Sequence, residues 1–201
     1  MGKIMIINGS PRAPKSNSKK YAELFSKCCT IPTEYYPLTN TDHLELCKSM
    51  EGFTDVLLVF PLYVDGIPVT LMDFLKTLEG YPCPHKPRVS VLINCGFLEP
   101  EQNDIAVKMI RLFCKHQGYP FGSVLRIGSG EAILTTPFKA IVARKIKKFA
   151  FSVSTGRNQS LRTAMPLPKK MFVRASWGYW ERYGKRNGIT REQMSAMEIE
   201  K

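Results

Sequence analysis

Eleven residues near the start of the chain, Asn8-Gly9-Ser10-Pro11-Arg12-Ala13-Pro14-Lys15-Ser16-Asn17-Ser18, have the types a phosphate site needs. Small residues let the backbone approach an anion, and hydroxyls and amides donate hydrogen bonds to it. The free N–H groups at the start of a following helix face it with a favourable dipole. Arg12 and Lys15 add positive charge. The segment from Gly9 to Ser16 is one residue away from a nucleotide-triphosphate loop, but Pro14 stands where the second glycine belongs. Proline can neither take that glycine's torsions nor offer an N–H. No later strand ends in an Asp suited to hold magnesium, so triphosphate hydrolysis is disfavoured. The plainer reading of the loop is a polar turn with Ser16 capping a helix.

Two more loops have unusual composition. Pro61-Leu62-Tyr63-Val64-Asp65-Gly66-Ile67-Pro68 and Asn94-Cys95-Gly96-Phe97 each follow an apolar run. The runs Lys3–Ile7, Asp55–Phe60 and Arg88–Asn94 read as strands buried on both faces. Thr33–Tyr36 and Phe121–Ile127 supply two further strands. Helices are expected at Ser16–Cys28, Thr41–Met50, Pro68–Leu78, Glu101–Gln117 and Thr136–Phe151. In the first, Tyr21, Leu24, Phe25 and Cys28 share a face. Five β-α units require an α/β fold, a doubly wound parallel sheet with helices on both faces. In such a sheet, the loops after strands one, three and four gather at the carboxyl edge beside the switch point. Residues 1–152 are assigned to this domain. Residues 153–201 read as a basic extension packed on it, with a helix over about Phe172–Asn187.

Composition is that of an ordinary globular protein, 44% hydrophobic and 23% charged over 201 residues. The net charge is +12, and it is a property of the C-terminal part. From Lys139 to Arg191 there are fourteen Lys/Arg and one acid, Glu181. That excess suits a phosphorylated cofactor, an acidic partner, a membrane surface or nucleic acid, or is simply a solvated basic face. Trp177, Trp180 and Tyr183 recur at helical spacing, and packing of that face on the core is the simpler reading than base stacking. Nucleic acid is therefore not an expected partner. The six cysteines show no metal-ligand spacing, so reduced thiols, a cytoplasmic protein and no metal site are expected. No basic-then-apolar leader precedes Lys3, and no run approaches the roughly 20 apolar residues of a membrane span.

Gly9-Ser10-Pro11-Arg12 with Ser16-Asn17-Ser18, followed by Pro61-Leu62-Tyr63 and Asp65-Gly66-Ile67-Pro68, resembles the flavodoxin-like NAD(P)H-dependent FMN reductase and quinone reductase family. The resemblance covers about residues 1–150. It implies FMN as cofactor and NADH or NADPH as co-substrate. Ser10, Pro11, Arg12, Ser16, Asn17 and Ser18 would hold the phosphate. Pro61, Leu62, Tyr63 and Val64 would line the isoalloxazine ring, and Asn94, Cys95, Gly96 and Phe97 would close its other edge. The resemblance also implies a small-molecule electron acceptor such as a quinone, flavin, azo or nitro compound, and a homodimer that completes the flavin face.

With the flavin carrying the hydride chemistry, no catalytic side chain is assigned. His43, His85 and His116 lack acid–base partners in the pattern. Tyr63 and Phe97 have a plainer reading as core anchors, and Cys95 as an inert small residue. Gly128-Ser129-Gly130-Glu131 lacks the third glycine of a dinucleotide fingerprint and reads as a turn. The alternative function is a flavodoxin-type electron carrier, against which the positive charge argues, because such carriers are acidic.

Overall fold

The computed structural model describes residues 2–13 and 15–196. Six strands form one parallel sheet: β1 (Ile4–Asn8), β2 (Thr33–Pro37), β3 (Asp55–Pro61), β4 (Arg88–Asn94), β5 (Phe121–Ile127) and β6 (Ser160–Thr163), in the order β2-β1-β3-β4-β5-β6. The helices are α1 (Asn17–Cys28), α2 (His43–Ser49), α3 (Val69–Gly80), α4 (Asp104–Gln117), α5 (Lys139–Ser154), α6 (Lys169–Arg186) and α7 (Arg191–Ala196). The chain forms two compact units, one through Met165 and one from Pro166 onward.

Strand alternation splits the core into two layers. Met5, Ile7, Val56, Leu58, Phe60, Val91 and Ile93 pack with Leu71 and Phe74 of α3 and with Val107 and Ile110 of α4. The residues between them, such as Ile4, Ile6, Leu57 and Val59, are just as buried. On the α1 and α5 side, Phe25 meets Phe149 with ring centroids 5.7 Å apart. Helix α4 ends at Gly118, whose φ of 73° is the left-handed conformation a helix C-cap favours.

The expected count of five strands is corrected to six. Ser160–Thr163 is a four-residue edge strand with one apolar side chain, Leu161. Edge strands tolerate polar residues because one side is unpaired, so no apolar run announces it. Arg162 on this strand pairs with Glu101 at 2.9 Å, and Arg126 on β5 pairs with Asp104 at 2.6 Å.

Register sets where the strands stop. Asn8 pairs with Val59 and Pro37, Pro61 with Asn94, and Asn94 with Ile127. The carboxyl ends of β1, β3, β4 and β5 therefore lie side by side. The order reverses direction between β1 and β3, which opens a crevice at that edge.

Phe25 is fully buried against Phe149, so Phe25→Ala is expected to destabilise the chain by about 3–5 kcal/mol through lost contact and the cavity left behind. Urea unfolding followed by far-ultraviolet circular dichroism measures this.

Candidate functional site

The loop after β1 is built on Asn8. Its side-chain amide donates to Tyr35 Oη at 2.8 Å and to Ser16 Oγ at 3.3 Å, and its Oδ1 accepts from the Ser10 N–H at 2.9 Å. The buried Ser10 in turn accepts from the Arg12 N–H through Oγ at 3.3 Å. Ser16 is the N-cap of α1, accepting from the Lys19 N–H at 3.1 Å. Capping and anion binding are compatible here. The cap satisfies one N–H of the first turn, and those nearest the helix start have no intrahelical acceptor. Arg12 and Lys15 are exposed at the mouth of this loop, as is Pro11. Gly9 sits where a Cβ would crowd its neighbours, standing 3.0 Å from Leu71 Cβ.

Asn94, at the end of β4, joins the three loops. Its Nδ2 donates to Ser18 Oγ and to the Phe60 carbonyl, both at 3.1 Å, while its own carbonyl accepts from the Leu62 N–H at 2.8 Å. Ser18 lies in the first turn of α1, so the start of that helix, the exit of β3 and the exit of β4 share one buried amide.

Beyond Pro61 the chain makes a tight turn in which Tyr63 and Gly66 exchange backbone hydrogen bonds of 3.1 and 2.8 Å. Val64 and Asp65 both have positive φ, 44° and 56°. That is the conformation of a primed hairpin turn, and it is unfavourable for a β-branched residue. The turn holds Val64 almost wholly in solvent and leaves Tyr63 42% exposed, and Phe97 on the neighbouring loop is 52% exposed. Neither aromatic is a core anchor. Both are exposed on loops at the carboxyl edge of the sheet.

Cys95 is buried and accepts from Asn103 Nδ2 at 3.3 Å. Burial pushes its thiol pKa up, with the Asn103 hydrogen bond opposing the shift, so the thiol stays protonated at neutral pH. The histidines lie apart: His85 and His116 are exposed, and His43, which opens α2, meets Phe74 edge-on at 5.8 Å. Among the described residues, no cluster of His, Cys, Asp or Glu could hold a metal.

The Gly128–Glu131 turn contributes more than its sequence suggests. Tyr21 Oη donates to the Gly130 carbonyl at 2.6 Å, and Asn17 Nδ2 to the Glu131 carbonyl at 3.1 Å. The Gly130 and Ser129 N–H groups donate to the Cys95 and Phe97 carbonyls. A Cβ on Gly128 would meet the Leu98 carbonyl oxygen at 2.4 Å, and one on Gly130 would meet Asn94 Cβ at 2.7 Å. The turn thus braces both the start of α1 and the Asn94–Phe97 loop. The two small glycines were the visible signal of this close approach. The Tyr21 and Tyr35 hydroxyls had none, because their partners are remote in sequence.

No protein-family model and no curated protein matches the chain. Solved structures do. An FMN-dependent NADH-azoreductase from Bacillus anthracis superposes with a TM-score of 0.59 at 14% identity, over 77% of this chain and all of that one. An NAD(P)H:quinone oxidoreductase from Methanothermobacter marburgensis gives 0.59 at 12% identity, over 75% and 95%. A flavodoxin from Streptococcus pneumoniae TIGR4 gives 0.57 at 14% identity, over 77% and 99%. The fold is flavodoxin-like.

Two outcomes follow from the site. Asn94→Ala removes the amide shared by Ser18 and Phe60, and is expected to cost about 1–3 kcal/mol by leaving buried polar groups unpaired, read as a lowered thermal midpoint. Cys95, raised and buried, is expected to resist alkylation by iodoacetamide at pH 8 in the folded chain and to react fully in denaturant, as peptide mass spectrometry would register.

Proposed function

We propose that this chain is an FMN-dependent NAD(P)H oxidoreductase acting on a small-molecule acceptor. The observation that carries this reading is the convergence, through Asn94, of a helix-capped polar loop with two loops that present exposed aromatic side chains. An anion at one end and a flat ring at the other is the shape of a flavin mononucleotide. The bracing of the site by backbone carbonyls, with no metal-type cluster among the described residues, fits a cofactor that brings its own chemistry.

In this reading, Ser10, Arg12 and Asn17, with the N–H groups at the start of α1, hold the phosphate. Ser16 and Ser18 also hold it: they accept hydrogen bonds from the protein through Oγ and keep their hydroxyl protons to donate outward. Pro11 shapes the loop exit. Pro61, Leu62, Tyr63 and Val64 lie along the ring, and Asn94, Cys95, Gly96 and Phe97 border its other edge. FMN bound there would supply the hydride and electron-transfer chemistry between a nicotinamide and the acceptor. The protein's part would be to bind and orient the ring.

An oxidoreductase of this kind works best with its ring covered, and the surface beside the site supports a homodimer. Val64, Val69 of α3, and Ile105 and Leu112 of α4 are all more than half exposed. Exposed apolar side chains such as these suit a second copy of the chain. Six free thiols, four of them buried, support a reducing compartment such as the cytoplasm. No helix among the described residues is long and apolar enough to cross a membrane.

A flavodoxin-type electron carrier is the second reading, favoured by the equal likeness to a flavodoxin. The +12 net charge opposes docking on a basic partner surface.

The test is visible absorbance with FMN added, then anaerobic NADH or NADPH. Bound flavin that bleaches rapidly with one nicotinamide is the expected result. Bound but unbleached flavin favours the carrier, and an unbound flavin removes both readings. Arg12→Ala is expected to weaken FMN about tenfold through loss of a charged hydrogen bond. Riboflavin, which has no phosphate, should bind the variant and the parent chain equally in a fluorescence titration.

A further inference from the structure

Helix α6 divides its residues by chemistry. Val173, Trp177 and Trp180 lie along one line of the helix, and Phe172, Tyr179 and Tyr183 along the adjoining line. Arg174, Arg182 and Lys185 occupy the opposite side, and Lys170 and Arg186 flank the aromatic face at its two borders. Over its 18 residues the helix carries six bases against one acid, Glu181. Val173, Trp177, Trp180 and Tyr183 are between 44% and 58% exposed, and Gly184 is the one residue of the helix that is buried. Within the second unit, α7 lies against Gly184, where a Cβ would stand 2.7 Å from Met194 Sδ, and Arg191 of α7 pairs with Glu181 at 3.3 Å. That ion pair ties the helix's single acid to α7.

We propose that α6 is a docking surface for an anionic lipid bilayer, lying in the plane of the interface. A helix of low overall hydrophobicity with a basic face and a Trp-rich apolar face has the makeup of an interfacial segment. Trp and Tyr favour the headgroup level, and each Lys or Arg near an anionic leaflet adds attraction. Charge decides between the available occupants. A second copy would bring an equally basic helix alongside. Nucleic acid would draw the basic face to its phosphates and turn the aromatic rings into water, where they could not stack on bases. An anionic bilayer takes both faces at once, with rings at the headgroups and long basic side chains reaching the phosphates.

Both tryptophans of the chain, Trp177 and Trp180, are on α6, so intrinsic tryptophan emission reports on this helix alone. The experiment adds vesicles of phosphatidylcholine, or of phosphatidylcholine with an equal part of phosphatidylglycerol, to the full-length chain and follows emission and co-sedimentation. A blue shift and sedimentation with the anionic vesicles, weakened by added salt and near zero with neutral ones, is the expected result. Lys170→Glu with Arg174→Glu should weaken anionic-vesicle partitioning by at least about tenfold. Trp177→Ala with Trp180→Ala should abolish sedimentation. Unchanged far-ultraviolet circular dichroism in both double variants would show that they remain folded. Equal binding to neutral vesicles would overturn the proposal, as would no binding to either. So would a spectral change produced by duplex DNA and not by vesicles, or a dimer that the tryptophan variant breaks without any vesicle binding.

Discussion

Everything at the carboxyl edge of this sheet hangs on one buried carboxamide. A parallel strand ends with unpaired backbone groups pointing past the sheet, and three such ends meet where the strand order reverses. Asn94 ties them together, its Nδ2 reaching Ser18 and the Phe60 carbonyl and its backbone oxygen taking the Leu62 N–H. A side chain with a carbonyl and two N–H donors can serve several neighbours at once. Because this group is buried, its hydrogen bonds are costly to lose and hold the loops in a fixed relation. Rigid loops with exposed side chains are what a ring-binding site needs.

The strands and helices of the first unit were largely legible in the sequence because burial writes a period into it. β3 and β4 are apolar on both faces, as strands between two helical layers must be, and α1 and α3 carry their core residues at helical spacing. β6 escaped because an edge strand needs no apolar face. The aromatic spacing of α6 was legible as one helix face, since periodicity states that residues share a side and not what lies against it. The structure leaves Trp177 and Trp180 about half exposed.

At the candidate site, the residue types were visible and the links between them were not. Ser16 was legible both as a cap and as an anion ligand, and its hydrogen bonds show the cap, with Oγ accepting from the Lys19 N–H and from Asn8. The exposure of Tyr63 and Phe97 could not be read, because aromatic residues in loops after strands are as often buried. Nor could the partners of the Gly128–Glu131 turn, Asn17 and Tyr21, which lie some hundred residues earlier in the chain. Such contacts depend on topology, and no local pattern carries them.

The short strand β6 has a further consequence, which concerns solubility. It covers the outer side of β5, whose run Val124-Leu125-Arg126-Ile127 would otherwise present open N–H and C=O groups beside apolar side chains. The opposite edge, β2, is blunted by Glu34 and by Pro37. Both margins of the sheet thus discourage strand addition from another molecule. A shortened chain ending before Ser160 would bare the β5 margin and gain a template for aggregation. The tail that carries no motif is then, in its first few residues, a guard on the sheet.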